Sequence, residues 1–219
     1  MLRRFRDRRE AGRLLAQKLT TYNEQPGVIV LALPRGGVPI AYEVSRALHG
    51  PLDLFVVRKL GVPGQEELAM GAVATGGVRV LNEPVVAGLR IPAAVVDAVT
   101  ASQQRELAAR ERLYRGERPP PDVGGRTAIL VDDGLATGAT MRAAVAALRR
   151  QQPARVVVAV PVAAPETCDE LRAVADDVIC VVTPEPFHSV GLWYQDFAQT
   201  TDDEVRTLLA LAGRGERAA

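Results

Sequence analysis

Ala128-Ile-Leu-Val-Asp-Asp-Gly-Leu-Ala-Thr-Gly-Ala-Thr-Met141 joins an apolar run, two carboxylates and a loop of small residues in that order. The apolar run, residues 127–131, is short and rich in β-branched side chains, so it predicts a strand buried on both faces of a sheet. Asp132 and Asp133 follow where that strand ends, which is the edge at which open parallel sheets bind ligands. The segment therefore predicts a parallel sheet with a ligand site after this strand.

The residues that follow the two carboxylates predict an anion site. Residues 135–140 supply hydroxyls and small side chains, so backbone N–H groups can close around an anion. A helix predicted over 141–150 would turn its positive N-terminus toward the same anion. Carboxylates that bind hydroxyls or a metal ion, next to a phosphate cradle, suit a sugar phosphate. The alternative is a simple Asp-Asp-Gly turn between two strands.

The composition of the chain is that of an ordinary globular protein. Its 219 residues are 47% apolar and 24% charged, with a net charge of +1, so no nucleic-acid partner is indicated. Residues 1–10 lack a signal-peptide core, and no apolar run has the length of a transmembrane helix. We interpret the arginines of that segment as a solvated first helical turn and predict a cytoplasmic protein without a membrane partner. Cys168 and Cys180 have neither metal nor disulfide spacing and are expected to be ordinary thiols.

A second strand–turn–helix unit lies near the beginning of the chain. Residues 27–33 predict a buried strand, and a glycine-rich turn leads from it to a helix over 40–48. Gly36 and Gly37 would let a ligand approach the main chain closely, and Arg35 would add a fixed positive charge. An ordinary tight turn with a solvent-facing arginine is the alternative. Because this turn and the acidic pair fall at one edge of one sheet, the binding interpretation is favoured.

The next predicted strand, residues 52–57, is followed by a segment rich in glycine and proline. Gly61, Pro63 and Gly64 predict that residues 58–68 form a mobile loop rather than a regular element. Such a loop could close over a reacting centre and exclude water from it. The alternative is a solvated loop that carries a few charges.

The remaining elements complete an alternating pattern. They begin with a hairpin (69–81), a largely helical segment (85–114) and a stiff connector (116–125). After the acidic segment come a strand (155–162), a helix (164–174), a strand (177–182) and a closing helix (202–211). We therefore predict an α/β fold, a mainly parallel twisted sheet flanked by helices with a Rossmann-like core and a small hood. A single domain is predicted over residues 1–219, with the core at about 24–183 and the hood at about 84–120 and 184–212. Right-handed crossovers should place the loops after residues 33, 57 and 131 at one edge of the sheet.

Residues 131–140, Val-Asp-Asp-Gly-Leu-Ala-Thr-Gly-Ala-Thr, resemble the phosphoribosyl-diphosphate signature of type I phosphoribosyltransferases. The resemblance implies that Asp132 and Asp133 bind the ribose 2′- and 3′-hydroxyls, directly or through water on Mg²⁺ as the cofactor. The residues that it implies for the 5′-phosphate are Ala136, Thr137, Gly138, Ala139 and Thr140.

The same resemblance assigns the basic residues of the first turn and of the predicted lid. This family binds pyrophosphate at the turn after its first strand, which Arg35, Gly36 and Gly37 match in place and composition. Its flexible lid often opens with a basic pair, which Arg58 and Lys59 resemble. The resemblance thus implies Arg58 as a further pyrophosphate ligand. The catalytic residues that it implies are Asp132, Asp133, Arg35 and Lys59.

Nearly the whole chain resembles a bacterial group known only as predicted phosphoribosyltransferases, through residues 31–39, 57–61, 67–73 and 193–197. The implied function is Mg²⁺-dependent transfer of the 5-phosphoribosyl group from phosphoribosyl diphosphate to a nitrogenous base or related acceptor, with release of pyrophosphate. A homodimer is expected. The alternative is a non-catalytic regulator or sensor that binds phosphoribosyl diphosphate or a nucleotide.

The acceptor is the part of the reaction on which the sequence is least informative. Ala136 stands where purine-type members carry a third acid, so no general base is visible in the signature and the orotate type is the nearer match. Trp193 and Tyr194 lie in an aromatic segment and could stack on a planar acceptor. They could equally anchor a C-terminal hood to the core.

Overall fold

The computed structural model describes residues 4–23 and 25–215. The strands are β1 (Val28–Ala32), β2 (Leu52–Leu54), β3 (Val57–Val62), β4 (Gln65–Ala74), β5 (Val78–Leu81), β6 (Thr127–Val131), β7 (Arg155–Val162) and β8 (Asp177–Val182). The α-helices are α1 (Arg8–Lys18), α2 (Gly37–Leu48), α3 (Glu83–Gly88), α4 (Ala93–Arg115), α5 (Ala139–Arg149), α6 (Pro165–Arg172) and α7 (Asp202–Gly215). Short 3-10 helices occupy Thr20–Tyr22 and Val190–Trp193.

A parallel sheet in the order β2-β1-β6-β7-β8 forms the centre of the molecule. Successive side chains of its strands enter two different clusters, as the period of two in a strand requires. Val30 and Ile129 pack with residues of α1, α2 and α7, whereas Leu31 and Leu130 pack with residues of α5 and α6. The sheet is therefore covered by helices on both faces, and the predicted α/β class is confirmed.

A small antiparallel sheet in the order β3-β4-β5 forms a hood beside the central sheet. It contains residues 58–68, so the prediction of a mobile loop there was wrong. Gly64 has φ +79° and makes the turn between β3 and β4 together with Pro63. Gly61 lies at a register shift, where a Cβ atom would come within 2.8 Å of the Glu66 carbonyl oxygen. The glycine and proline residues thus mark a hairpin turn and a bulge, which are regular features of paired strands.

Three further assignments differ from the prediction. The strand expected over 52–57 ends at Leu54, and Val57 already belongs to the hood sheet, so the loop after residue 57 does not lie at the predicted edge. The hood sheet arises from residues 57–81, within the stretch assigned to the core. The helical segment expected over 85–114 is divided between α3 and α4, and α4 packs against β3 and β4.

The N-terminal segment of the described chain pairs with the segment that follows β8. Phe5 pairs with Tyr194 in a parallel bridge, and the Phe5 N–H donates to the Trp193 carbonyl oxygen at 2.9 Å. The Gln195 N–H donates back to the Phe5 carbonyl oxygen at 2.8 Å. This pairing closes one side of the sheet edge at which β1 and β6 end. Within residues 4–23 and 25–215, every helix is too short or too polar to cross a membrane.

Candidate functional site

The site is built where the turns after β1 and β6 come into contact. A Cβ atom on Gly36 would lie only 2.0 Å from Asp133 Oδ2, and one on Gly37 would lie 2.5 Å from the Val131 carbonyl oxygen. Real Cβ atoms do not approach other atoms so closely, so both positions require glycine. The structure therefore brings together the two turns that the sequence predicted at one sheet edge. The group that comes close to Gly36 and Gly37 is the turn after β6, whereas the sequence had predicted a ligand there.

The two carboxylates of the acidic turn are largely withdrawn from water. Burial raises the pKa of Asp132 well above its ordinary value, and the neighbouring charge of Asp133 raises it further. Burial also raises the pKa of Asp133, although the Arg8 guanidinium opposes that shift. The Asp133 N–H donates to Asp132 Oδ1 at 2.8 Å, which fixes one carboxylate relative to the main chain of the other. Two adjacent, desolvated carboxylates favour hydroxyl donors or a cation as ligands.

Arg8 is a site residue that sequence reasoning missed. Its Nε and Nη2 atoms donate to Asp133 Oδ2 at 3.0 and 2.8 Å, and Nη1 donates to the Ala198 carbonyl oxygen at 2.6 Å. The guanidinium carbon also lies 4.0 Å from the centroid of the Phe197 ring. The sequence signal that could have found it is Asp7, whose side chain caps α1 and makes Arg8 the first helical residue. The prediction of a solvated arginine was wrong for Arg8, and Met1–Arg3 lie outside the described residues.

The segment predicted to bind the 5′-phosphate follows the acidic turn, and its last two residues, Ala139 and Thr140, begin α5. The side chains of Ala136, Thr137 and Thr140 are exposed, so this side of the loop is open to a ligand. Thr167 at the start of α6 donates its hydroxyl to the Ala136 carbonyl oxygen at 2.5 Å. That bond fixes the loop from behind, and no sequence pattern had indicated Thr167.

Arg35, in the turn after β1, faces the N-terminus of α7. Its Nη1 atom is 3.7 Å from Asp202 Oδ1, and the Tyr114 hydroxyl donates to the same carboxylate oxygen at 2.6 Å. A cavity of about 410 Å³ opens here, lined by Arg35, Leu113, Gln199, Thr200, Thr201, Asp202, Asp203 and Arg206. Polar groups thus surround the cavity beside the arginine that was predicted to bind pyrophosphate.

The predicted basic pair lies on the hood rather than on a lid. Arg58 is in β3, where its Nε atom donates to Gln103 Oε1 at 3.0 Å and Nη2 lies 3.9 Å from Glu106 Oε2. Both partners belong to α4, so this helix holds the arginine. Lys59 is exposed on the same strand. The structure therefore does not place either residue on a mobile loop.

The aromatic segment anchors the C-terminal residues to the acidic turn. Tyr194 is 3% exposed, and its hydroxyl donates to the Asp133 carbonyl oxygen at 2.6 Å. Its ring lies between Phe5 and Phe197, with centroid distances of 5.4 and 5.0 Å. The proposal that Tyr194 stacks on an acceptor is therefore wrong, because neither face of its ring is open. Trp193 is partly buried against the same cluster.

The donor set bears on the predicted Mg²⁺. Among the described residues, no group of three or more His, Cys, Asp or Glu side chains is arranged to hold a metal ion. Asp132 and Asp133 offer a pair of carboxylates, and Mg²⁺ commonly takes one or two carboxylates and completes its shell with water and substrate phosphates. The residues present thus fit an ion that arrives with a phosphorylated substrate.

The chain is similar to known proteins over most of its length. The family model for the phosphoribosyl transferase domain matches residues 7–195. A protein of Mycobacterium tuberculosis H37Rv, whose name assigns it provisionally to the phosphoribosyl transferases, is 48% identical over 210 residues, which are 96% of this chain and 47% of that protein. The chain thus spans about half the length of this curated relative. The Bifunctional protein PyrR of Chloroflexus aurantiacus is 33% identical over 63% of this chain and 71% of its own. The crystal structure of TT1426 from Thermus thermophilus is similar with a TM-score of 0.84 and 45% identity, over 94% of this chain and 97% of that one.

Proposed function

The chain belongs to the phosphoribosyl transferase domain family, and from that premise we propose that it transfers the 5-phosphoribosyl group of phosphoribosyl diphosphate to a nitrogenous acceptor. The observation that carries the proposal is the contact between the Gly36 turn and the Asp133 carboxylate. That contact puts a pyrophosphate-type turn and a ribose-type acidic pair at one point, with a phosphate loop directly after them. A donor that carries ribose between two phosphate groups matches all three parts.

In the proposed reaction, the bond between C1 and the pyrophosphate oxygen breaks and a bond between C1 and an acceptor nitrogen forms. The electron pair of the broken bond leaves with pyrophosphate, and the acceptor nitrogen loses its proton to solvent or to a base. Mg²⁺, when bound, would supply positive charge to neutralise the leaving group. The contribution of the protein is mainly position and electrostatics.

Each part of the site has one role in this proposal. Asp132 and Asp133 bind the ribose hydroxyls, and the backbone N–H groups of residues 136–140 hold the 5′-phosphate. Arg35 and the Gly36 turn bind the pyrophosphate. To do so, the Arg35 guanidinium would leave Asp202, from which it is 3.7 Å away, and contact a phosphate oxygen. Arg58 as a further pyrophosphate ligand and Lys59 as a catalytic residue stay part of the proposal, and both would act from the hood sheet.

The acceptor nitrogen must attack C1 from the side opposite the departing pyrophosphate, and therefore from the side away from Arg35. Since Ala136 supplies no acid or base, the acceptor should carry a nitrogen that is easily deprotonated. The proposal also includes a cytoplasmic homodimer, for which cell fractionation and light scattering are the tests.

The test of the donor is calorimetric titration with phosphoribosyl diphosphate, with and without Mg²⁺. Wild type should bind in a metal-dependent manner, and the double variant Asp132→Asn/Asp133→Asn should not bind while it remains folded. The variant Asp169→Asn/Glu170→Gln on the exposed face of α6 is the matched control for lost charge. Absence of binding by folded wild type under both conditions would overturn the donor assignment.

The second candidate is a regulator that binds the donor or a nucleotide without turning it over. The similarity to PyrR, whose name calls it bifunctional, is the observation that favours it. A screen for pyrophosphate release across bases and amines separates the two candidates. Release with one acceptor supports the enzyme, whereas binding without release by every acceptor supports the regulator.

A further inference from the structure

We propose that Arg8 is a positioning residue of the ribose site, which orients Asp133 from outside the two ligand-binding turns. This inference rests on the proposed function, because it assigns Asp133 to the ribose of the donor. Arg8 is brought to the acidic turn from 125 residues away in sequence. It belongs neither to the signature at 131–140 nor to the turn at 34–37.

The hydrogen bonds of Arg8 select one oxygen of the carboxylate. Both Nε and Nη2 donate to Oδ2, and neither takes Oδ1. The fixed planar fork of a guanidinium therefore sets the rotation of the carboxylate and leaves its other oxygen for a ligand hydroxyl. On the other side, Gly36 lies against the same Oδ2 atom, so the side chain is held between a cation and a main chain.

The guanidinium is itself firmly held. Its side chain is 11% exposed, its Nη1 atom donates to the Ala198 carbonyl oxygen, and the Phe197 ring covers one face of it. A cation over an aromatic face in a desolvated setting is a favourable contact. Helix α1 carries Arg8 and packs against α2, which begins at the pyrophosphate-type turn. A rigid path thus connects that turn, α1 and the ribose-binding carboxylate.

Arg8 also joins the acidic turn to the C-terminal segment. Tyr194 donates to the main-chain carbonyl of Asp133, and Arg8 binds both the side chain of Asp133 and the main chain at Ala198. Tyr194 consequently fixes the main chain of Asp133, and Arg8 fixes its carboxylate group. Removal of the Arg8 fork should free the carboxylate group alone.

The variants Arg8→Gln and Arg8→Lys test this assignment, with phosphoribosyl diphosphate plus Mg²⁺ and inorganic pyrophosphate as the two probes in calorimetry. Arg8→Gln should bind phosphoribosyl diphosphate about tenfold more weakly, equivalent to about 1.4 kcal/mol. Its affinity for pyrophosphate, which has no ribose, should stay within about twofold of wild type. Arg8→Lys keeps the charge but loses the planar fork of donors, so its affinity for phosphoribosyl diphosphate should lie between those of wild type and Arg8→Gln.

Arg6→Gln is the matched control, because Arg6 lies in the same segment with a side chain that is 59% exposed and pairs locally with Glu10. It should leave the affinities for both probes unchanged. Emission from the single tryptophan, Trp193, and thermal unfolding show in each variant that the neighbouring segment is folded.

The outcomes distinguish this inference from the proposed function. If wild type binds phosphoribosyl diphosphate and Arg8→Gln binds it equally well, the positioning role is overturned and the proposed function stands. An equal loss of affinity for both probes would show a general structural role and would also overturn it. No binding by folded wild type would overturn the proposed function, and this inference with it.

Discussion

At the scale of single residues, the contact between Gly36 and Asp133 gives the sharpest prediction. In Gly36→Ala the added methyl group would lie 2.0 Å from Asp133 Oδ2, so the carboxylate must move. The backbone of Gly36 has φ −60°, which alanine adopts without strain, so space alone opposes the substitution. We expect a loss of about 1–3 kcal/mol in the free energy of unfolding, as for other overpacked sites, and loss of donor binding.

Urea unfolding and calorimetry measure these two effects of Gly36→Ala. Gly88→Ala is the matched control, because a Cβ atom there would have no neighbour within 4 Å. A Gly36→Ala protein that binds phosphoribosyl diphosphate like wild type would contradict the role assigned to the contact.

Positions set by the local chain were predictable, and contacts made through tertiary packing were not. Asp132, Gly36 and Gly37 were predicted to lie at one sheet edge because they follow predicted strands, but the contacts with Asp133 and Val131 that require the two glycines were not predicted. Arg8 was misjudged because its partner is 125 residues away, and the charges beside it in sequence suggested solvent. Tyr194 was left between two roles, and its burial decided between them.

At the scale of the elements, Tyr114 in α4 and Asp202 in α7 connect two helices and make that connection sensitive to alkali. Burial, followed by the hydrogen bond to Asp202, raises the pKa of Tyr114 from 10.0 to about 12. The folded state therefore favours the neutral phenol, and its stabilising contribution is complete below about pH 10 and lost as the pH approaches about 12. Tyr114→Phe lacks the contribution at every pH.

We therefore expect wild type to be more stable than Tyr114→Phe near neutral pH and the difference to shrink between about pH 10 and 12. Urea unfolding at a series of pH values measures this difference. Tyr42→Phe, which removes a phenol from the partly exposed surface of α2, controls for general effects of the hydroxyl. A difference in stability that stays constant across that pH range would be evidence against the assigned contact.

The elements themselves followed the predicted order, apart from the segment read as a lid. Glycine and proline disfavour helices, but they are also the residues of tight turns and bulges, so their density could not separate a loop from a hairpin. The pairing partner that decides the matter, residues 69–74, lies outside the segment itself. The contact between Cys168 and Cys180 was likewise not visible in their spacing, since their sulfur atoms come within 2.9 Å of each other only because α6 packs on β8.

At the scale of the whole molecule, the pairing of the N-terminal segment with residues 193–196 closes the structure beside the site. Phe5 is 3% exposed and packs on Tyr194, so Phe5→Ala should cost about 3–5 kcal/mol of stability. The emission of Trp193 should shift to longer wavelength as water enters the cluster. Thermal unfolding and tryptophan fluorescence measure the two effects.

Leu68→Ala is the control for Phe5→Ala, since Leu68 is an apolar residue of the hood with 38% exposure. It should change neither the emission of Trp193 nor the unfolding temperature by a comparable amount. Unchanged emission and unchanged stability in Phe5→Ala would show that the segment contributes little to the closure of the molecule.

The contacts of Arg8 with Asp133 and Ala198 also determine when the site can form during synthesis. Arg8 leaves the ribosome first of the three, Asp133 follows 125 residues later, and Ala198 follows after a further 65 residues, the difference between the separations of 190 and 125. The central sheet needs β8 before it is complete, and the acidic turn needs the segment after β8. A ribosome-bound chain that ends before Ala198 would therefore carry both ligand-binding turns without a finished ribose site. Donor binding by nascent chains should begin only when the residues through Ala198 have emerged from the ribosome.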